Sequence, residues 1–61
     1  MSKGDPVVGR NGEVGYTTGA QFPCKLAGCT GIRVTVRWPD GKYTHPCTKG
    51  MKYEEGKWWI L

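Results

Sequence analysis

Apolar and polar residues alternate without a break along residues 32–38, where the apolar positions are Ile32, Val34, Val36 and Trp38. This alternation predicts a β-strand with one apolar face and one polar face that carries Arg33, Thr35 and Arg37. The strand is followed by Pro39-Asp40-Gly41, whose residue types suit a three-residue loop that closes with a bulge at the glycine. Residues 32–47 are therefore predicted to form a β-hairpin.

The predicted loop also fixes how the two strands of this hairpin pair. Trp38 is expected opposite Lys42, and counting outward gives three further pairs, which are Arg37 with Tyr43, Thr35 with His45 and Arg33 with Cys47. Side chains that alternate along paired strands share a face, so arginine, tyrosine, histidine and cysteine are gathered on one surface. This is the surface on which we look for function.

Three further strands are predicted outside the hairpin. Val7 and Val8 precede an Asn11-Gly12 turn, and residues 13–18 then alternate, with Val14 and Tyr16 on one face. Residues 48–51 can form a single helical turn, and residues 58–61 end the chain as an apolar strand. No segment has a sustained helical period, and the ten glycines favour tight turns between short strands, so the chain is predicted to be all-β.

Two runs of sequence resemble a known family. GDPVVGRNGEVGYTT contains a Gly-Asp-x-Val entry followed by a Gly-x-x-Gly-x-Val turn and strand, and VRWPDGKYT is an apolar strand that turns at Asp-Gly. Both resemble small SH3-like barrels of the KOW and Tudor-like kind. The resemblance implies a five-stranded antiparallel SH3-like barrel, a single domain over residues 1–61, with a long loop between strands 2 and 3 at residues 19–31.

The size and charge of the chain bound its partners. A domain of 61 residues buries only about 60% of the surface that its unfolded chain exposes, so a metal or a partner would help its core. The net charge of +4 favours nucleic acid or an acidic protein surface, although a charge of this size also simply aids solubility. No apolar signal-peptide core or membrane-length segment is present, so we expect a cytoplasmic protein without a membrane partner.

The spacing of the cysteines points to a metal. Cys24 and Cys29 are separated by four residues, and His45-Pro46-Cys47 follows fifteen residues later. Cysteine and histidine ligands in two close pairs are typical of structural zinc sites, and His45 and Cys47 would point the same way on a strand. Two alternatives stay open: three free thiols beside a surface histidine, or a Cys24–Cys29 disulfide, which a reducing compartment disfavours.

A second set of residues is basic and aromatic. The candidate nucleic-acid contacts are Arg33, Arg37, Lys42, Tyr43 and Lys25, which lie on or beside the hairpin or in the long loop. Cations can pair with phosphates and an exposed tyrosine can stack on a base. The alternative is an ordinary solvated strand face, with Tyr43 packed against Arg37 across the strands.

The tryptophans suggest a different class of function. Trp58 and Trp59 are adjacent on a predicted strand, so their side chains point to opposite faces and one indole is expected to be exposed. An exposed tryptophan can anchor a protein partner, which would make the chain an interaction adaptor or a modulator of a larger complex. Alternatively, the fold or an oligomer covers both rings.

Enzyme activity is not predicted. The chain has one histidine, and its only serine is Ser2. Its five carboxylates form no recognisable acid pair, and Asp40 belongs to a turn. A chain this short also offers little volume for a pocket that excludes water.

Overall fold

The computed structural model describes residues 2–61, which form six β-strands and one short 3₁₀ helix. In chain order, strands β1 to β6 are Pro6–Val8, Val14–Pro23, Ile32–Arg37, Tyr43–Thr44, Met51–Glu54 and Lys57–Ile60, and the 3₁₀ helix is Thr48–Gly50. The all-β prediction is confirmed, and the helical turn predicted at residues 48–51 is present as the 3₁₀ helix, which ends one residue earlier because Met51 begins β5. In this described part of the chain, no helix has the length and apolar character needed to cross a membrane.

The strands form one mixed sheet in the order β4-β3-β2-β1-β6-β5. The pairing of β1 with β6 is parallel, and the other pairings are antiparallel. Residues 2–61 therefore do not form the predicted five-stranded antiparallel barrel. The sheet has a sixth strand, and it is open, because β4 and β5 each pair with one neighbour and lie at its two edges. The additional strand is β5, which is joined to β6 by a turn at Glu55-Gly56 and pairs with it in the antiparallel sense.

The β3–β4 hairpin follows the predicted register. Arg37 pairs with Tyr43, and Arg33 forms a bridge with Cys47. At the loop, the Trp38 N–H donates to the Lys42 carbonyl at 2.9 Å, and Gly41 has a φ of 86°. Only glycine adopts that conformation at low cost, so the prediction of a loop closed at Gly41 is confirmed.

The loop between β2 and β3 is shorter than predicted. β2 continues to Pro23, and its pairing with β3 shifts register between Thr17 and Gln21. After this irregularity at residues 18–20, β2 pairs with β3 again from Gln21 to Pro23. The segment without regular structure is therefore residues 24–31 rather than 19–31. Both cysteines of the first pair lie in this shorter loop.

The core lies on one face of the sheet. Its buried residues are Val7, Val34, Val36 and Met51, with Trp38, Trp58 and Ile60 packed against them. β2 contributes Gly15 and Thr17 to this face, whereas Tyr16 is exposed. Gly15 has no room for a side chain, because a Cβ there would lie 2.8 Å from Cε3 of Trp38 and 2.7 Å from Cγ1 of Val36. The bare backbone of β2 thus allows the Trp38 indole to lie against the sheet.

Candidate metal centre and outer sheet face

The fold brings three cysteines together. The Sγ atoms of Cys24, Cys29 and Cys47 all lie within 4.8 Å of one another, and those of Cys29 and Cys47 are 3.5 Å apart. All three are free thiols, with Cys24 buried and the other two partly buried. Cys24 directly follows β2, Cys29 lies in the loop, and Cys47 precedes the 3₁₀ helix, so the cluster joins three separate segments.

Backbone hydrogen bonds shape the loop that holds two of these cysteines. The Cys24 N–H donates to the Gly31 carbonyl at 3.0 Å, which closes residues 24–31 at their base. Inside the loop, the Cys29 N–H donates to the Leu26 carbonyl at 3.0 Å and forms a turn. The two bonds return Cys29 to the side of Cys24, which is why a gap of four residues still brings both thiols together.

The sulfur atoms receive hydrogen bonds from the backbone. Leu26 supplies one to Cys24, and this bond, followed by a hydrogen bond from the Cys29 thiol, lowers the pKa of Cys24 to about 7. The Gly31 N–H donates to Cys29 Sγ at 3.4 Å, and this bond lowers the Cys29 pKa. The hydrogen bonds of Cys29 with the other two thiols, together with burial, outweigh it, so its pKa is raised overall. The net effect favours the thiolate form, which binds metals, at Cys24 but not at Cys29.

Gly31 is also required by the space around the cluster. A Cβ at this position would lie 2.8 Å from Cys47 Sγ and 2.5 Å from Cγ of Lys49. Lys49 is flexible and can move away, but the Cys47 sulfur is fixed beside two other thiols. Any side chain at position 31 would therefore press on the cluster.

The spacing of the sulfurs fits a single metal ion. Thiolates bound to one tetrahedral zinc ion at about 2.3 Å lie roughly 3.8 Å from one another. The 3.5 Å separation of Cys29 and Cys47, and the 4.8 Å limit on the whole group, are close to that geometry. The three cysteines are therefore compatible with a metal site.

His45 was predicted as a fourth ligand, and the structure does not place it in this group. Its Nδ1 is 3.0 Å from Oγ1 of Thr35, and its ring meets the edge of Phe22 at a centroid distance of 5.4 Å. His45 and Cys47 lie on the same side of their segment, as predicted, but two residues of extended chain separate them by about 7 Å. His45 therefore sits over the middle of β3, whereas Cys47 lies at the end near the loop.

The surface of the sheet opposite the core carries a row of aromatic and basic side chains. Tyr16 of β2 pairs with Arg37 of β3, which in turn pairs with Tyr43 of β4. The two tyrosines are 55% and 57% exposed, so both rings remain largely open to solvent. Arg37 thus lies between two exposed aromatic residues in the row across the strands.

A second row crosses the same surface near residues 24–31, which we call the cysteine loop. Phe22 pairs with Arg33, and Arg33 Nη1 donates to the His45 carbonyl at 2.6 Å. We call these two rows together the outer face, which consists of Tyr16, Phe22, Arg33, Arg37 and Tyr43. Tyr16 and Phe22 were not predicted to belong to it, because the pairing of β2 with β3 could not be deduced from the β3–β4 loop.

The other two predicted nucleic-acid contacts lie outside the outer face. Lys42 is exposed at the hairpin loop, but it lies opposite Trp38 and lines a pocket with Trp38 and Ile60 on the core side of the sheet. Lys25 is exposed next to Cys24 in the loop of residues 24–31. Within residues 2–61 the one ion pair joins Lys52 to Glu54 at 2.7 Å, so no carboxylate neutralises Arg33 or Arg37 there. The positive charge of the outer face is available to an external anion.

The two C-terminal tryptophans are both partly buried. Trp58 packs against the core and meets the ring of Tyr53 at a centroid distance of 5.1 Å, while Trp59 Nε1 donates to the Glu54 carbonyl at 3.0 Å. The expectation that one of these indoles is exposed is wrong, because the β5 strand, which was not predicted, contacts each of them. Substitution of either tryptophan would therefore affect folding as well as any partner-binding surface.

These features define a small all-β protein with a mixed six-stranded sheet and a cluster of three cysteines. No protein-family model, curated protein or solved structure matches the chain. Its function must therefore be inferred from the chemistry of its own residues.

Proposed function

We propose that this protein is a nucleic-acid-binding module that holds a single strand on its outer face. The observation that supports this best is the row in which Arg37 lies between the exposed rings of Tyr16 and Tyr43. In this proposal Arg33 and Arg37 contact phosphates, Lys42 and Lys25 add positive charge beside the outer face, and the tyrosines stack on bases.

The chemistry of that row suits an unpaired strand. Neighbouring strands of a sheet lie about 4.8 Å apart, so the two tyrosines flank the guanidinium closely. Stacking on an aromatic side chain contributes about 1–3 kcal/mol per base, and a guanidinium can bind a phosphate through two hydrogen bonds. Because every base has a π face, we expect binding that tolerates many sequences.

Other partners have less support. An acidic protein surface would also be attracted by the outer face, but it would leave the exposed tyrosine rings without a specific role. An adaptor anchored by Trp58 or Trp59 is disfavoured, because both indoles are partly buried against their own chain.

The proposal includes a structural zinc ion at Cys24, Cys29 and Cys47. Thiolate ligands favour zinc among the common divalent ions of the cell, and a domain this small gains stability from such a crosslink. We also retain the relationship to SH3-like barrels of the KOW and Tudor-like kind as part of the proposal. It is supported by the β3–β4 hairpin and by the 3₁₀ turn that precedes the last strands.

Salt dependence of binding tests the phosphate contacts. Fluorescence anisotropy with a labelled oligothymidine, measured over a range of salt concentrations, gives a slope of log K against log[salt] of about −0.7 for each phosphate contact. Replacing Arg33 and Arg37 together with glutamine should weaken binding and reduce that slope by one to two contacts. Lys57→Gln removes the same kind of charge from the distant β6 strand and should leave the slope unchanged. An unchanged slope in the double variant would contradict the proposal.

Stacking is tested separately with the tyrosines. Tyr16→Ala and Tyr43→Ala should each weaken oligothymidine binding at least about fivefold, the lower end of the stacking range, while the salt slope stays constant. Tyr53→Ala is the control, because Tyr53 is 62% exposed but lies on the β5–β6 side of the sheet. Equal losses in all three variants would indicate non-specific effects and argue against stacking on the outer face.

A further inference from the structure

We infer that the cysteine cluster is an open metal site, in which a water molecule takes the fourth coordination position in the isolated protein. This inference rests on the zinc site proposed above and concerns what completes it. Zinc in proteins is almost always bound by four ligands, and sites with three protein ligands keep the fourth position for solvent or another exchangeable donor.

The cluster supplies three protein ligands and no fourth. Among residues 2–61, no histidine, aspartate, glutamate or further cysteine joins the group formed by Cys24, Cys29 and Cys47. His45, the nearest candidate by sequence, is held by the hydrogen bond to Thr35 and by contact with Phe22. It would have to break both contacts to reach the metal.

The cluster is open to solvent on one side. A cavity of about 350 Å³ adjoins the cluster and is lined by Leu26, Ala27, Gly28, Cys29, Thr30 and Lys49. Cys29 lines this cavity and is only partly buried, as is Cys47, whereas Cys24 is buried. An ion bound by the three sulfurs would therefore have room for a small ligand on the Cys29 side.

The charge of the loaded cluster also favours a neutral fourth ligand. Three thiolates and a divalent ion carry a net charge of −1, which disfavours a fourth anionic donor. Arg33 lies opposite Cys47 across the strands and Lys49 lines the cavity, so two cationic side chains are close to that charge. Because neighbouring cations already balance the site, a neutral donor is sufficient, and water is the one that is always present.

Cobalt substitution tests this arrangement directly. Co²⁺ occupies zinc sites, and its visible absorption responds to the number and type of its ligands. We would titrate Co²⁺ into the reduced, metal-free protein without oxygen, and then add imidazole to the loaded protein. We expect one Co²⁺ per monomer, thiolate-to-metal charge transfer, and visible bands that shift in a saturable way as imidazole replaces water.

The matched variant is His45→Gln, which changes an exposed side chain outside the cluster. It should bind Co²⁺ within about twofold of the wild type and show the same imidazole shift. If instead the wild-type bands ignore imidazole and only the variant responds, His45 is the fourth ligand and the inference is overturned. A metal-linked dimer that ignores imidazole would overturn it as well, because a second copy would then supply the donor.

Cysteine variants establish that the signal comes from this cluster. Cys29→Ser should weaken Co²⁺ binding more than about 100-fold, since changes to outer-shell partners alone cost about 10–100-fold. Circular dichroism of each variant shows whether it still folds. If Cys29→Ser does not fold, the Co²⁺ affinity of Cys47→Ser provides the same test. Absence of Co²⁺ binding by the folded wild type would overturn both the zinc site and this inference. Binding with His45 as ligand would overturn the inference alone.

Discussion

A glycine at each end of the β2–β3 pair leaves space for a neighbouring side chain, which is an indole at one end and a thiol at the other. Gly15 leaves space for the indole of Trp38 near the hairpin loop, and Gly31 leaves space for the Cys47 sulfur at the cysteine loop. At the first end, the neighbours are a valine side chain and a backbone carbonyl as well as the ring. At the second, they are a thiol and a flexible lysine.

The difference indicates what stabilises each end. The Trp38 end depends on apolar packing, which needs no ligand and cannot yield without moving backbone atoms. The cysteine end has exposed apolar residues, such as Leu26 at 63% exposure, and a cluster of thiols in place of a core. Its stability should therefore depend on metal, whereas that of the Trp38 end should not.

The largest effect is expected from Gly15→Ala. The added Cβ would meet Val36 Cγ1, the Arg37 carbonyl oxygen and Trp38 Cε3 at 2.7 to 2.8 Å. Overpacking typically costs about 1–3 kcal/mol, and a backbone oxygen cannot rotate away, so we expect a loss near 3 kcal/mol. For a domain of this size that corresponds to a fall in Tm of at least about 12 °C, measurable by circular dichroism.

Gly50→Ala is the matched control for that variant. A Cβ at Gly50 would have nothing within 4 Å, and its φ lies outside the left-handed region. Its effect should stay within about 0.5 kcal/mol, as for most surface substitutions. If Gly15→Ala were as mild as this control, Trp38 would have to pack more loosely than the structure indicates.

Removal of the proposed zinc ion with a chelator should affect the cysteine end of the β2–β3 pair. A ligand at 100 times its Kd stabilises a folded protein by about 2.7 kcal/mol, so we expect Tm to fall by at least about 10 °C. Hydrogen exchange should locate the change: the amides of Cys24 and Cys29 should exchange faster, while those of Trp38 and Gly41 change less. An unchanged Tm, or an equal rise in amide exchange at both ends, would show that the cysteine end does not depend on metal more than the Trp38 end does.

A smaller effect is expected from Gly31→Ala. The new methyl would press on Cys47 Sγ while the Gly31 N–H that bonds Cys29 is retained. We expect metal affinity to fall about tenfold, as for the mildest outer-shell changes, with little loss of Tm in the metal-free protein. Competition with a chromophoric chelator measures the affinity, and Gly50→Ala again serves as the control. Unaltered affinity would mean that the cluster can shift to accommodate the methyl.

The sequence predicted the features that local chemistry determines. Pro39-Asp40-Gly41 fixed the register of the β3–β4 hairpin, and with it the neighbours of Arg37 and Arg33. Three of the four predicted metal ligands converge, because a hairpin of known register and a nearby loop leave few other arrangements. His45 was included because alternation gives only the side of a strand, and not the distance along it that separates His45 from Cys47.

Features that depend on distant contacts were not predictable in the same way. Val14 and Tyr16 were assigned one face of β2, but the sequence gives no sign that Gly15 and Thr17 face the core beneath Trp38. The β5 strand was also missed, because its four residues lack a clear alternation and are buried only at Met51. Its turn, Glu55-Gly56, is not one of the common hairpin dipeptides.

That turn provides the smallest predicted effect and the only stabilising one. Glu55 and Gly56 have φ values of 54° and 75°, as in a type I′ turn, and Glu55 is the only residue other than glycine in residues 2–61 with a positive φ. A side chain in this conformation costs about 1–2 kcal/mol, and asparagine tolerates it better, so Glu55→Asn should stabilise the protein by about 0.5–1 kcal/mol. Urea unfolding measures the change, and Glu55→Gln removes the same charge without relieving the backbone. If both variants gained equally, charge rather than backbone conformation would limit the stability of the β5–β6 hairpin.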